Sequence, residues 1–179
     1  IIKSGIKNLV YSFSDPNPVA QGGSKKLRES GLNVSSGVLT EKVEFTNRYW
    51  LKKIEANRPY FTWKIAMTLD GKIAALDGSS KWITSAESRQ EVSKLRSHAD
   101  AVLIGTGTAI TDDPSLNSHD IGSRQPRRIV MGKREIPASN KLNDKSAETY
   151  FVKSHEASDL LELLKNLEVN QVLVESGPV

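Results

Sequence analysis

Residues 63–116 read WKIAMTLDGKIAALDGSSKWITSAESRQEVSKLRSHADAVLIGTGTAITDDPSL, and the punctuation of this stretch decides the fold class. An apolar strand runs into the turn Leu69-Asp70-Gly71. Ser80-Lys81-Trp82-Ile83-Thr84 then leads into Thr84-Ser85-Ala86-Glu87, a capping-box pattern that starts a helix. A second apolar strand, residues 101–104, ends in Gly105-Thr106-Gly107-Thr108 at the opening of a further helix. Asp112-Asp113-Pro114 closes the unit.

The same alternation continues on both sides. Strands are expected at residues 60–67, 101–104, 128–131, 149–152 and 171–175. Leu160, Leu164 and Leu167 fall at helical spacing between the last two. Strands separated by helices favour an α/β fold with a mostly parallel sheet and flanking helices. Upstream, Ile1-Ile2 reads as a helix end and residues 8–13 as a strand; Asp15-Pro16-Asn17-Pro18 forces a loop. A short helix is expected around Leu27 with Gly31 stopping it, then a strand over 34–39. Val43, Trp50, Leu51 and Ile54 mark a connecting helix, and Asn57-Arg58-Pro59 ends it. The spacing thus divides the chain into residues 1–57 and 58–179.

A chain of 179 residues, 37% hydrophobic and 26% charged, is long enough to bury a core. No apolar run approaches the ~20 residues that span a bilayer, so a membrane is not an expected partner. With no cysteine there is no disulfide and no thiolate ligand, and the cytoplasm is the default compartment. The net charge is +4, but the 25 Lys and Arg are scattered among 21 acids. The densest cluster, Arg124, Arg127 and Arg128 beside Pro126, reads as solvated surface; no nucleic-acid partner is expected. A mild positive field also suits small anionic molecules.

Several residues could carry chemistry. Lys64 puts an ammonium on an otherwise apolar strand, facing a cleft or guarding a sheet edge. Asp112 is a polar-centre candidate or a plain turn residue. Arg96, a turn beyond Val92, either holds an anion or lies over the apolar stripe of its helix. Gly105-Thr106-Gly107 is no dinucleotide fingerprint, since Ile110 stands where a third glycine belongs. Glu175-Ser176-Gly177-Pro178 ends the last strand, where open α/β sheets bind ligands.

Together these motifs resemble the reductase domain of the bifunctional riboflavin-biosynthesis deaminase/reductase family, a dihydrofolate-reductase-like fold. The resemblance implies NADPH as cofactor and a phosphorylated ribosylamino-pyrimidine as substrate, reduced at the sugar C1′ to the ribitylamino product. It implies Lys64, Asp112 and Glu175 at the catalytic centre. Cofactor contacts would be Ala66, Trp82, Thr108, Asp112, Gly132 and the loop of Gly177 and Pro178; substrate contacts would be Ser80, Arg96, Leu116, His119 and Glu175. A homodimer is compatible with it. The first 57 residues resemble the tail of the family's cytidine-deaminase-like domain. That domain holds zinc through a His-x-Glu element and two cysteines, none of which is here, so no zinc is expected.

This chain departs from the family at two of these positions. His119 stands where the family often has a phosphate-binding arginine, which predicts a pH-sensitive substrate contact. Met131-Gly132 replaces a frequent Asp-Ser, which predicts NADPH selectivity weakened about tenfold at most by one lost neutral hydrogen bond. The sequence runs only to Val179, past Gly177-Pro178, so the phosphate loop and the sheet are expected to be incomplete and this chain alone inactive.

Overall fold

The computed structural model describes residues 1–76, 78, 80, 83–119, 122, 124–175 and 177. The chain divides into two compact units, Ile1–Tyr60 and Phe61–Val179.

In the first unit, β1 (Asn8–Tyr11) and β2 (Asn33–Ser36) pair in parallel, joined through the short helix α1 (Gly23–Glu29). The long helix α2 (Thr40–Ala56) follows. Strand β2 stops three residues short of the expected end. Gly37 and Leu39 both take positive φ, 95° and 55°, which turns the backbone out of the extended region and into α2.

Among the described residues, five strands form one sheet: β3 (Tyr60–Trp63), β4 (Ala101–Gly105), β5 (Arg127–Met131), β6 (Thr149–Val152) and β7 (Gln171–Val174). Their spatial order is β3-β7-β4-β5-β6. The β7–β4, β4–β5 and β5–β6 pairings are all parallel, as the strand–helix alternation requires. The helices are α3 (Ala86–His98), α4 (Thr106–Asp112) and α5 (Ala157–Asn166).

Burial explains why the strands read as continuous apolar runs. Val102, Ile104, Val130 and Leu173 point to one face and pack with Ala109 of α4 and Leu116. Ala101, Leu103, Ile129 and Val172 point to the other, under Leu160 and Leu164 of α5. A sheet covered on both sides has no polar face to alternate with.

Three local expectations are corrected. Strand β3 ends at Trp63 rather than at residue 67, and beyond Lys64 the side chains of Ile65 and Met67 are exposed. Helix α3 is capped by Ser85, not Thr84: Ser85 is extended and its Oγ accepts from Ser88 N–H at 3.3 Å. Arg128 is not surface. It is fully buried, donating to Asp144 Oδ1 and to the carbonyls of Ser115, Lys141, Asp144 and Ala147.

Candidate active site

At the carboxyl end of β7 the backbone bridges neighbouring strands. Glu175 N–H donates to Leu103 O at 3.0 Å, and Lys64 N–H donates to Val174 O at 2.9 Å. These two bonds bring Lys64, next after β3, beside Glu175, next after β7. Arg96 arrives from the last turn of α3. Its Nε and Nη2 donate to Glu175 Oε1 and Oε2 at 2.6 and 2.8 Å, a bidentate pair. Lys64 Nζ lies 3.6 Å from Oε2 of the same carboxylate. Glu175 is only 6% exposed, Arg96 16% and Lys64 27%, so the ammonium is the most open group of the three.

Two cations on one carboxylate leave this cluster a net positive charge. Arg96 also donates Nη1 to Asn117 O at 3.3 Å. A guanidinium has five N–H groups and three are thus engaged, so two remain for a ligand. The cluster can therefore take an anion and can hold a proton on the Lys64 ammonium.

A second group of candidates lies at the end of β4. Thr108, in the first turn of α4, accepts at Oγ1 from Gly177 N–H at 3.5 Å, which sets Gly177 against the helix. A Cβ built on Gly177 meets nothing nearer among the described residues than Thr108 Oγ1, 4.0 Å away. Gly132 sits under Thr106. With φ at 135°, a Cβ there would lie 2.5 Å from Thr106 Oγ1. The threonine thus fills the space a serine side chain would need, which accounts for glycine at this position.

Other expected residues are placed apart from these groups or differently from the sequence reading. The carboxylate against Lys64 is Glu175; Asp112 is the exposed last residue of α4, and it is Asp113 that accepts from Lys141 N–H. Leu116 is 2% exposed and packed in the core, so only its backbone could meet a ligand. His119 is exposed, with its N–H donated to Ser93 Oγ on α3. Ser80 is exposed and Ala66 half-buried, both in irregular backbone. Trp82 and Pro178 lie outside the described residues. Sequence reading missed Thr106 and Arg134, which meet Gly132 and Gly107 only through the fold.

Comparison with known proteins gives a consistent picture. Residues 59–179 match the family model described as the RibD C-terminal domain. The riboflavin biosynthesis protein RibD of Mycobacterium tuberculosis (strain ATCC 25618 / H37Rv) is 40% identical over 183 aligned residues, covering 99% of this chain and 53% of that protein. RibD of Aquifex aeolicus is 39% identical, again over 99% of this chain and 57% of its own length. The chain thus spans about half the length of the curated relatives it matches. Among solved structures, a diaminohydroxyphosphoribosylaminopyrimidine deaminase/5-amino-6-(5-phosphoribosylamino)uracil reductase from Thermotoga maritima superimposes with a TM-score of 0.84 at 33% identity. That match covers 99% of this chain and 55% of the other.

Proposed function

The chain belongs to the RibD C-terminal domain family, and on that footing we propose that it is an NADPH-dependent reductase of riboflavin biosynthesis, acting on 5-amino-6-(5-phosphoribosylamino)uracil. The observation that carries this reading is the Lys64–Glu175–Arg96 cluster at the carboxyl ends of β3 and β7. NADPH, when bound, supplies a hydride for C1′ of the ring-opened sugar, whose C=N bond becomes CH₂–NH with one proton added.

The chain's own groups supply position and charge. Arg96, with two N–H groups uncommitted, suits the substrate phosphate. Lys64, held by Glu175 and open on its other side, suits the proton needed at the substrate nitrogen. Thr108, Gly177, Gly132 and Ala66 are the residues that would hold the cofactor. Asp112 completes the cofactor side, and Ser80, Leu116 and His119 the substrate side. Residues 1–57 fit the C-terminal part of a deaminase-like domain, supported by relatives aligned over 99% of the chain. No zinc chemistry is assigned to it. A cytoplasmic homodimer fits the same reading, and no described helix is long and apolar enough to cross a membrane.

The test is NADPH consumption with this substrate by the purified protein in its full-length form, with Lys64→Met alongside. Turnover that falls about 10²–10⁴-fold in the variant is expected. No turnover with that substrate, or a variant as fast as the parent, would remove the assignment.

A further inference from the structure

Arg128 carries a charge into the core of the second unit, and its contacts lead towards the site. On β5 it lies two residues before Val130, so its side chain leaves the sheet on the face that packs Leu116. Nη1 donates to Ser115 O at 3.4 Å, to Asp144 Oδ1 at 2.9 Å and to Ser146 Oγ at 3.3 Å. Nη2 donates to the carbonyls of Asp144 and Ala147 at 3.0 and 2.6 Å. One guanidinium thus fastens the stretch after Pro114 to the loop 141–147. A buried ion pair is often no more stabilising than apolar side chains of the same volume, so a fully buried arginine calls for a reason besides stability.

The stretch it fastens is strained, and it leads to Arg96. Leu116 has φ 55°, in the left-handed region, which costs a leucine free energy and persists only where the surroundings hold it. The holds are Ser115 O on Arg128, the Leu116 side chain in the core, and Asn117 Nδ2, which donates to Ser146 Oγ at 2.8 Å. The Ser146 hydroxyl is fully used: its proton goes to Asp144 Oδ1 at 2.5 Å, and its lone pairs take Arg128 and Asn117. Downstream, His119 N–H donates to Ser93 Oγ at 2.7 Å, which lays the stretch along α3 one turn before Arg96. The Asn117 carbonyl then accepts from Arg96 Nη1 at 3.3 Å. With Glu175 on Nε and Nη2, this carbonyl is the second point that sets the plane of the guanidinium.

We propose that Arg128 and Ser146 are positioning residues of the site: through Asn117 they fix the carbonyl that, together with Glu175, orients Arg96 towards a phosphate. The inference rests on the assignment of Arg96 to the substrate phosphate above. Arg128 and Ser146 act through Asn117 and not by contact with the ligand. Recognition of a phosphate by a planar fork of donors depends on where that plane points. With Asn117 released, Leu116 can relax its backbone, the carbonyl turns away, and Arg96 is held at its Glu175 edge alone. The loss then falls on binding of the phosphate, and not on hydride transfer at the far end of the sugar.

KM and kcat of the full-length protein with the phosphorylated substrate, and the dissociation constant of ribose 5-phosphate, test this. Ser146→Ala removes a hydroxyl at an exposed position, and Asn117→Ala removes the amide but keeps the carbonyl. Each should raise KM and the dissociation constant about 3- to 10-fold while kcat stays within about twofold. Ser146→Thr, which keeps the hydroxyl, should restore both. On an Arg96→Ala background, Ser146→Ala should add nothing, because its effect passes through Arg96. Arg128→Lys should move KM in the same direction, and the Ser146 and Asn117 variants decide the matter where it fails to fold. Parental KM and affinity in Ser146→Ala and Asn117→Ala, a matching fall in kcat, or a further loss on top of Arg96→Ala overturns the proposal. Ser146-dependent binding of ribose 5-phosphate without turnover of the pyrimidine would support the positioning and count against the reductase reading. Turnover with a KM indifferent to both residues would do the reverse.

Discussion

Glu175 carries two cations with one nearly buried carboxylate, and its replacement shows what that arrangement is worth. Glu175→Gln keeps the shape but leaves Arg96 and Lys64 facing a neutral amide. Hydrogen bonds to charged groups contribute about 1.5–3 kcal/mol, so urea unfolding should show a loss near that size. A midpoint equal to that of the parent would mean the cluster is solvated and the bidentate pair idle. Gly132→Ser probes the other group. At φ 135° with Thr106 Oγ1 2.5 Å from the new Cβ, the serine meets both backbone strain and a clash. The expected cost is about 1–3 kcal/mol, measurable by thermal or urea unfolding. A neutral or stabilising result would show that Thr106 can turn aside and that glycine is not required. Neither contact is legible in the sequence: Glu175 reads as a strand-end acid, but Arg96 lies 79 positions away. Gly132 reads as a lost hydroxyl, with no sign that a threonine takes its place.

At the scale of elements, Asp100 fastens the start of β4 to the start of β7. Its carboxylate accepts from the N–H groups of Asn170 and Gln171 at 2.8 and 3.1 Å and from Arg124. Burial pushes its pKa up, but the Asn170 amide, Arg124 and the Gln171 amide together hold it below the usual value. A depressed folded-state pKa means stability that is present above the unfolded value of about 3.9 and lost as pH falls through the folded one. Asp100→Asn should therefore cost about 1–2 kcal/mol at pH 7, with Arg124 discounted because it is 64% exposed. The gap to the parent should close in acid, below about pH 4; a gap independent of pH would rule the linkage out. Asp144 behaves similarly at the surface, where the Ser146 hydroxyl and amide, and then Arg128, bring it down to about 2. Element types were readable because periodicity survives in the sequence. Ends were not: the cap of α3 fell on Ser85 because backbone geometry decides which oxygen faces an N–H.

Across the whole molecule, the buried core belongs to the second unit. Ala101, Val102, Ile129, Leu164 and Val172 are at 0% exposure, whereas no residue from 1 to 58 is buried. Amides protected by few buried contacts open at low free energy, and those in a covered sheet open only with global unfolding. Hydrogen exchange should accordingly be fast throughout β1, β2 and α2 and slow in β4 and β5. Protection in β1 equal to that in β4 would contradict the division. Leu164→Ala should cost the second unit about 2–5 kcal/mol by leaving a cavity under the sheet, a loss readable as a lower midpoint for sheet unfolding with little change in the first unit's exchange.

By itself the sequence determined the α/β class, the parallel order implied by strand–helix alternation, and the residue types of the candidate site. These are local properties: hydrophobic period, turn chemistry and caps act over a few residues and leave their mark in order. Tertiary structure alone decided which of those residues meet. Glu175 takes Arg96 and Lys64, Thr106 fills the place beside Gly132, Arg134 rests on Gly107, and Arg128 goes inside rather than out. Each joins positions on different elements, and a contact of that kind is fixed by the strand order β3-β7-β4-β5-β6, which no local pattern encodes.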